Sequence, residues 1–312
     1  MTWLRLIPET TNIDFVGARY YAFAVDGLLV LVSIVSIWLY GFNLGIDFTG
    51  GTLIEAKAAH SIDIGALREQ IGSLNFGETQ IQYVGSGSCD HPANSCVLIR
   101  VQPKAGQTGE IVQAQVKKSL GSEYTIRNSQ NISAKVSEEL FRDGVLATIL
   151  AVIFISIYVA FRFEWQYGIG ALVATGHDVF VTAGLFSVLH LDFTLNTVAA
   201  LLLLAGYSIN DTVIVFDRIR ENRRKYKRMK LPELINLSTN QIATRTTLVS
   251  AATALSMVPL LFFGGPVLFN FSAAILFGIL VGTFSSTYVA AALLLYLPAP
   301  AGTIDEPAAA KA

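Results

Sequence analysis

The sequence predicts an α-helical polytopic membrane protein of six transmembrane helices, with one α+β, ferredoxin-like domain outside the membrane between the first and second helix. Three observations predict it. Of the 312 residues, 53% are hydrophobic and only 14% charged, with a mean hydropathy of +0.53, where a soluble domain carries roughly 25% charged residues. Six apolar stretches are long enough for a helix crossing the hydrocarbon, which takes about 20 residues at 1.5 Å each. The charges gather in two blocks, near 47–142 and 217–245, and so leave the apolar stretches nearly bare.

The six predicted spans are 21–41, 144–161, 167–190, 194–216, 246–263 and 269–297. The first exceeds the roughly 7–15 apolar residues of a signal peptide and five more follow, so it reads as an uncleaved helix. The last is long enough to tilt, or to leave the membrane before Pro298. Small residues in the third span (Gly168, Gly170, Ala171, Ala174, Gly176, Ala183, Gly184) suit close helix packing.

Orientation follows from lysines and arginines in short loops. Segment 217–245 holds nine of them, from Arg218 to Arg245, and the links 191–193 and 264–270 hold none. The fourth span therefore exits into the cytoplasm through a basic loop, whose cations also suit contact with a partner. Residues 1–20 and a disordered tail at 298–312 fall on the same side, in agreement with Arg5, Arg19 and Arg162. Block 42–143 then lies outside.

That block alternates strand-like and helix-like patterns. Residues 52–58 alternate apolar and polar, and 63–74 place apolar residues at 64, 67, 71 and 74. Strand-like runs return at 79–84 and 96–101, a helical face at 109–120 (Ile111, Val112, Val116, Leu120), and a short strand at 124–127. The order β-α-β-β-α-β is the split-βαβ motif. Cys89 and Cys96 flank the turn between the middle strands. Outside the cytoplasm they can close a disulfide; free thiols, or a metal site with His91, are the alternatives, the last short of ligands.

Ionisable side chains inside a span are functional candidates by default. Four occur: Asp26, His177 with Asp178, and Asp211. Asp211 follows Ser208 and Asn210 and precedes Thr212 in one polar turn, and Arg245 opens the fifth span at comparable depth, so a pair between them is geometrically allowed. Burial disfavours an ionised carboxyl and a nearby guanidinium favours it. Moving the arginine away would let Asp211 take a proton, and bringing it back would expel that proton. Structural roles compete. Asp26 can reach headgroup water, Asp178 can hydrogen-bond Asn196 or Thr197, and His177 can serve packing.

Two segments resemble the SecD/SecF family of protein-export subunits: Gly45-Ile-Asp-Phe-Thr-Gly-Gly51 after the first span, and Gly206-Tyr-Ser-Ile-Asn-Asp-Thr through Glu221-Asn222 in the fourth. The single modest outer domain is similar to that of the SecF branch. The resemblance implies one half of a twelve-span unit like the RND transporters, seated in the bacterial inner membrane with its outer domain periplasmic. It implies partnership with SecD, the SecYEG translocon, YajC and a translocating preprotein among membrane lipids, without nucleic acid. The implied work is proton-driven promotion of late export, not catalysis, with the proton as coupling ion and no cofactor. The family's proton-handling residues map onto Asp211 and Arg245, with Asn210, Ser208 and Asp178 in support. Asp47, Gly50 and Gly51 match the first signature, for which local chemistry suggests a shaped turn. Rival readings are an RND-like carrier of small molecules or lipids, and an intramembrane aspartyl protease using Asp178 and Asp211. Against the protease, the two carboxylates differ by roughly 8 Å in depth and Gly-x-Gly-Asp is absent.

Overall fold

The computed structural model describes residues 11–77, 79–84, 89, 94–104 and 107–298. His91 and the tail from 299 onward lie outside the described residues, as do residues 1–10. Six helices are long and apolar enough to span a membrane. They are α1 (Arg19–Tyr40), α5 (Ala134–Arg162), α6 (Trp165–Val188), α7 (Leu195–Lys225), α8 (Leu231–Phe263) and α9 (Gly265–Ser285). The last continues through a π-helical turn, Ser286–Ala290, into α10 (Ala291–Leu293). The most apolar windows of α6, α7 and α9 are 56%, 50% and 44% buried, whereas those of α1, α5 and α8 are 22%, 17% and 11% buried. The bundle therefore has three central and three peripheral helices.

Helix ends depart from the apolar limits in an instructive way. Segment 217–245 is not a loop: α7 continues to Lys225, α8 begins at Leu231, and only 226–230 turns between them. Ile219, Leu234, Ile235 and Ile242 sit at helical spacing and are buried against Tyr167 and Phe216. An amphipathic face with many cations lowers mean hydropathy but leaves the helical period intact. Residues 11–18 pack on this extension. Asn240 exchanges two hydrogen bonds with the Ile13 backbone, and Asn236 accepts from the Val16 amide and donates to Asp14. The Gly17 amide and Asn236 both donate to Asp14, which holds its carboxyl below the usual range.

Between α1 and α5 stands the α+β domain. Its elements are β2 (Gly51–Ala58), α3 (Ile64–Gly72), β3 (Thr79–Tyr83), β4 (Cys96–Val101), α4 (Gly109–Leu120) and β5 (Tyr124–Ile132). The sheet order is β3-β4-β2-β5, every pair antiparallel, which is the split-βαβ arrangement. Leu67 and Ile71 of α3, with Val112, Val116 and Leu120 of α4, bury one sheet face through Ile54, Ala56, Ile81, Val97 and Ile99. Asp63 caps α3 by accepting from the Gly65 and Ala66 amides. Ile111, placed on the buried face by spacing, is 46% exposed.

β5 outruns its predicted end at residue 127 because it pairs with all of β2, across a register shift between Glu55 and Ala56. The polar stretch Asn128–Asn131 is strand by pairing, against its own propensity. Arg127 lies at the shift and ion-pairs with Glu55 at 3.2 Å. Cys89 and Cys96 are joined by a disulfide. Among the described residues, no three His, Cys, Asp or Glu side chains are grouped to hold a metal.

Candidate functional site

Two groups of buried polar residues in the bundle meet α7. Asp211 is 1% exposed. Among the described residues, its Oδ2 accepts one hydrogen bond, 3.4 Å long, from Ser250 of α8, and its Oδ1 has no partner. Tyr207 and Thr283 both donate to Ser250, at 3.1 and 2.8 Å. A hydroxyl has one hydrogen and two acceptor sites, so Ser250 is saturated and its single hydrogen points at Asp211. Nothing in the sequence marked Ser250 and Thr283 beyond their polarity inside apolar helices.

One turn earlier on α7, the buried Ser208 turns away from Asp211 to donate to Asp178 Oδ2 at 2.6 Å. Asp178, fully buried, takes its second bond from neighbouring His177, Nδ1 to Oδ1 at 3.0 Å. Its partners are therefore Ser208 and His177, not Asn196 or Thr197, because the α6 crossing faces it to the middle of α7. Gly282 of α9 permits this approach: a Cβ there would stand 3.2 Å from Asp178 Oδ2 and 3.5 Å from Ser208 Cβ. The other ring nitrogen of His177 faces Asp26 of α1, Nε2 to Oδ1 at 3.9 Å. Asp26 does not reach headgroup water. It is 5% exposed, and among the described residues neither carboxylate oxygen has a hydrogen-bond partner.

Arg245 does not pair with Asp211. It is exposed and lines a groove of about 540 Å³ with Arg162, Asp217, Arg218, Glu221 and Gln241. The comparable depth read from the sequence fails because Asp211 lies level with Ser250, five residues or about 7.5 Å along α8 from Arg245. Asn210 is exposed, whereas Asp211 beside it is buried. Asp178 and Asp211 do not share a hydrogen bond either; Asp178 meets α7 three residues, about 4.5 Å, from Asp211.

The first signature builds the junction between bundle and outer domain. After α1, β1 (Asn43–Leu44) pairs in parallel with β6 (Asp192–Phe193), which leads from α6 into α7. Gly45 donates from its amide to Phe193 O at 2.8 Å, and a Cβ on it would stand 2.7 Å from Thr194 Cγ2. The one-turn helix α2 (Ile46–Thr49) follows, and Asp47 Oδ2 accepts from the Leu195 amide at 2.9 Å. Asp47 thus satisfies a donor at the start of α7 from 148 residues away in sequence. Gly50 and Gly51 have φ of 73° and 127° and turn the chain into β2. Arg100 of β4 ion-pairs with Asp192 at 3.1 Å. At the opposite end, Arg223 and Glu164 form a largely buried pair at 2.6 Å, with Tyr167 accepting from the same guanidinium. Sequence reasoning counted Arg223 only among the loop cations.

This layout matches known proteins along most of the chain. Residues 112–299 match the family model for the C-terminal part of the protein export membrane protein SecD/SecF, and residues 35–62 match the SecD/SecF GG motif. The protein translocase subunit SecF of Cereibacter sphaeroides is 40% identical over 94% of this chain and 92% of its own length. That of Escherichia coli O157:H7 is 38% identical over 91% and 87%. The crystal structure of SecDF from Thermus thermophilus, a translocon-associated membrane protein, superposes with a TM-score of 0.82 at 35% identity. The match covers 95% of this chain and 39% of that longer one. The chain belongs to the SecD/SecF family of protein-export membrane proteins, and its near-full-length relatives are SecF subunits.

Proposed function

We propose that this chain is a SecF-type subunit of the Sec protein-export machinery, which pairs with a SecD-like chain and uses the proton gradient to promote late steps of preprotein translocation. The observation that carries the proton coupling is Asp211, a carboxylate buried in a spanning helix with, among the described residues, one oxygen unpartnered and one long hydrogen bond. Such a group is expensive to hold ionised, and the separation from Arg245 suits a state in which Asp211 takes a proton. Approach of Arg245 would favour its release. A proton crossing the membrane delivers roughly 2.3 kcal/mol per 100 mV, enough to bias a two-state motion.

The need for a second half is supported by α7 itself. Leu203, Gly206, Asn210 and Asp217 form an exposed stripe on a central helix. An asparagine amide facing hydrocarbon would be unsatisfied, and a SecD-like partner would cover it. The basic end of α7 then faces the cytoplasm of a bacterial inner membrane, with both termini, and the outer domain faces the periplasm. The SecYEG translocon, YajC and the preprotein are the further partners of this reading, and the proton is its only coupling agent. The carrier and protease readings find no support in the family, and Asp178 and Asp211 share no site.

The test is Asp211→Asn. The variant is expected to fold and to co-purify with its SecD-like partner, while export into membrane vesicles loses its dependence on the proton gradient. Undiminished dependence would remove Asp211 from the mechanism.

A further inference from the structure

Asp26, His177 and Asp178 are more than helix packing requires. A packing role accounts for the bonds between His177, Asp178 and Ser208, since buried polar groups are ordinarily hydrogen-bonded. It leaves Asp26 unexplained. Both Asp26 carboxylate oxygens and His177 Nε2 are buried with no hydrogen bond among the described residues, and Oδ1 faces Nε2 across 3.9 Å. Closing that distance to hydrogen-bond length takes about 1 Å. The elements packed around them are α1, α6, α7 and α9, which bring Asp26, His177, Asp178, Ser208 and Gly282, and the π-helical turn 286–290, whose titratable Tyr288 packs on Phe15 and Phe284. Among the described residues, no lysine or arginine ion-pairs with either aspartate, so His177 is the one cation available to two buried carboxylates. With both ionised and the ring neutral, the cluster would carry two uncompensated negative charges in a spanning bundle, which is strongly disfavoured. A proton held within the cluster would remove one of those charges.

We propose that Asp26, His177 and Asp178 form a second protonatable site, which passes a proton between α1, the helix that enters the outer domain, and α7 one turn from Asp211. This deepens, and rests on, the reading of the bundle as proton-coupled. The transfer conserves charge at every stage. With Asp26 protonated and His177 carrying its hydrogen on Nδ1, the Asp26 O–H bond breaks and an Nε2–H bond forms, leaving a carboxylate and an imidazolium. The Nδ1–H bond then breaks as the proton joins Asp178 Oδ1. His177 is left neutral with its hydrogen on Nε2, and Asp178 is a carboxylic acid still accepting from Ser208. One proton has moved from α1 to the α7 contact, and the cluster carries one negative charge throughout.

Infrared difference spectroscopy between acid and alkaline pH tests this on the purified chain with its SecD-like partner in lipid vesicles. Carboxyl C=O bands are compared among wild type, Asp26→Asn, His177→Gln and Asp211→Asn. Asp26→Asn is expected to lose a band that Asp211→Asn retains, and His177→Gln to move the pH at which that band titrates. An Asp26→Asn spectrum identical to wild type would overturn the proposal, as would a band indifferent to His177. If Asp26→Asn is lost from the membrane, Asp26→Glu carries the test: its band must persist at a displaced frequency, and its absence overturns the site. The spectra require no export, so failure of Asp211→Asn to uncouple export would sink the broader reading while leaving the Asp26 band to be judged by itself.

Discussion

Replacing Asp47 by alanine removes an acceptor that α7 does not supply for itself. The Leu195 amide is among the first donors of α7, which have no intrahelical partner, and Asp47 Oδ2 satisfies it at 2.9 Å. Loss of a capping acceptor is worth about 0.5–2 kcal/mol, and loss of a negative charge at a helix N-terminus about 0.3–1 kcal/mol. Because Asp47 is half-buried at the junction, the sum is set at about 1.5 kcal/mol, or roughly a 10-fold larger open population. Asp47→Asn keeps an acceptor and loses only the charge, about 0.5 kcal/mol, or roughly 2-fold. Hydrogen exchange at Leu195 and Gly45, whose amide closes the same junction on Phe193 O, reads these openings directly. The expected order is aspartate slowest, asparagine intermediate, alanine fastest. Equal exchange in all three chains would refute the capping role, and alanine matching asparagine would show that charge, not the hydrogen bond, matters.

Gly51→Ala places a Cβ 2.8 Å from Val101 O at a φ of 127°, so it is expected to destabilise the outer domain by about 2–3 kcal/mol, seen as faster exchange in β2 and β4. Arg223→Met removes the cation beside Glu164 and a donor to Tyr167. With Glu164 about a quarter exposed, the full buried-pair value is discounted to about 2 kcal/mol, and the midpoint of thermal unfolding in detergent should fall. Reducing the Cys89–Cys96 disulfide frees a short loop and should raise exchange along β3 and β4, since loop-closure entropy for about eight residues corresponds to roughly 2.5 kcal/mol.

What was legible in the sequence divides along physical lines. Strand alternation in 52–58 and 96–101 and helical spacing in 63–74 and 109–120 are local, and these elements stand where the periods place them. Hydropathy found six spans but not their ends, because Ile219, Leu234 and Ile235 hold α7 and α8 in helical form through a buried stripe amid cations. The candidate aspartates were visible as charges in apolar segments. Their partners were not, since those depend on the offset and rotation of one helix against another. Five residues of offset along α8 separate an Asp211–Arg245 pair from the observed Asp211–Ser250 contact. Asp47 read as part of a shaped turn, and no local pattern points to an amide in another helix.

The two ends of α1 and α6 connect the buried cluster to the outer domain. The helices run parallel, since each is followed at the same end by a strand, β1 or β6, and those strands pair with each other. Near that end Ser36 bonds Ser187 at 2.9 Å, Ser187 donates to Gly41 O at 2.7 Å, and Gly184 leaves room for Ser33. Sliding α1 along α6 would break all these contacts and the β1–β6 register together. A tilt about Ser36 and Ser187 would keep these serine contacts near their present lengths. Asp26 lies ten residues, about 15 Å, from Ser36, so bringing Asp26 about 1 Å closer to His177 needs a tilt of about 4°. Beyond the pivot the same tilt displaces the chain by about 1 Å for every 15 Å travelled, and the chain there is β1, α2 and the sheet. Arg100 on Asp192, and Asn270 donating to Asp192 O, resist that displacement from the bundle side. Under the proposed proton site, drawing Asp26 inward would load the junction on the far side of this pivot, where the β1–β6 pairing, the Asp47–Leu195 bond and the Arg100–Asp192 ion pair would resist it.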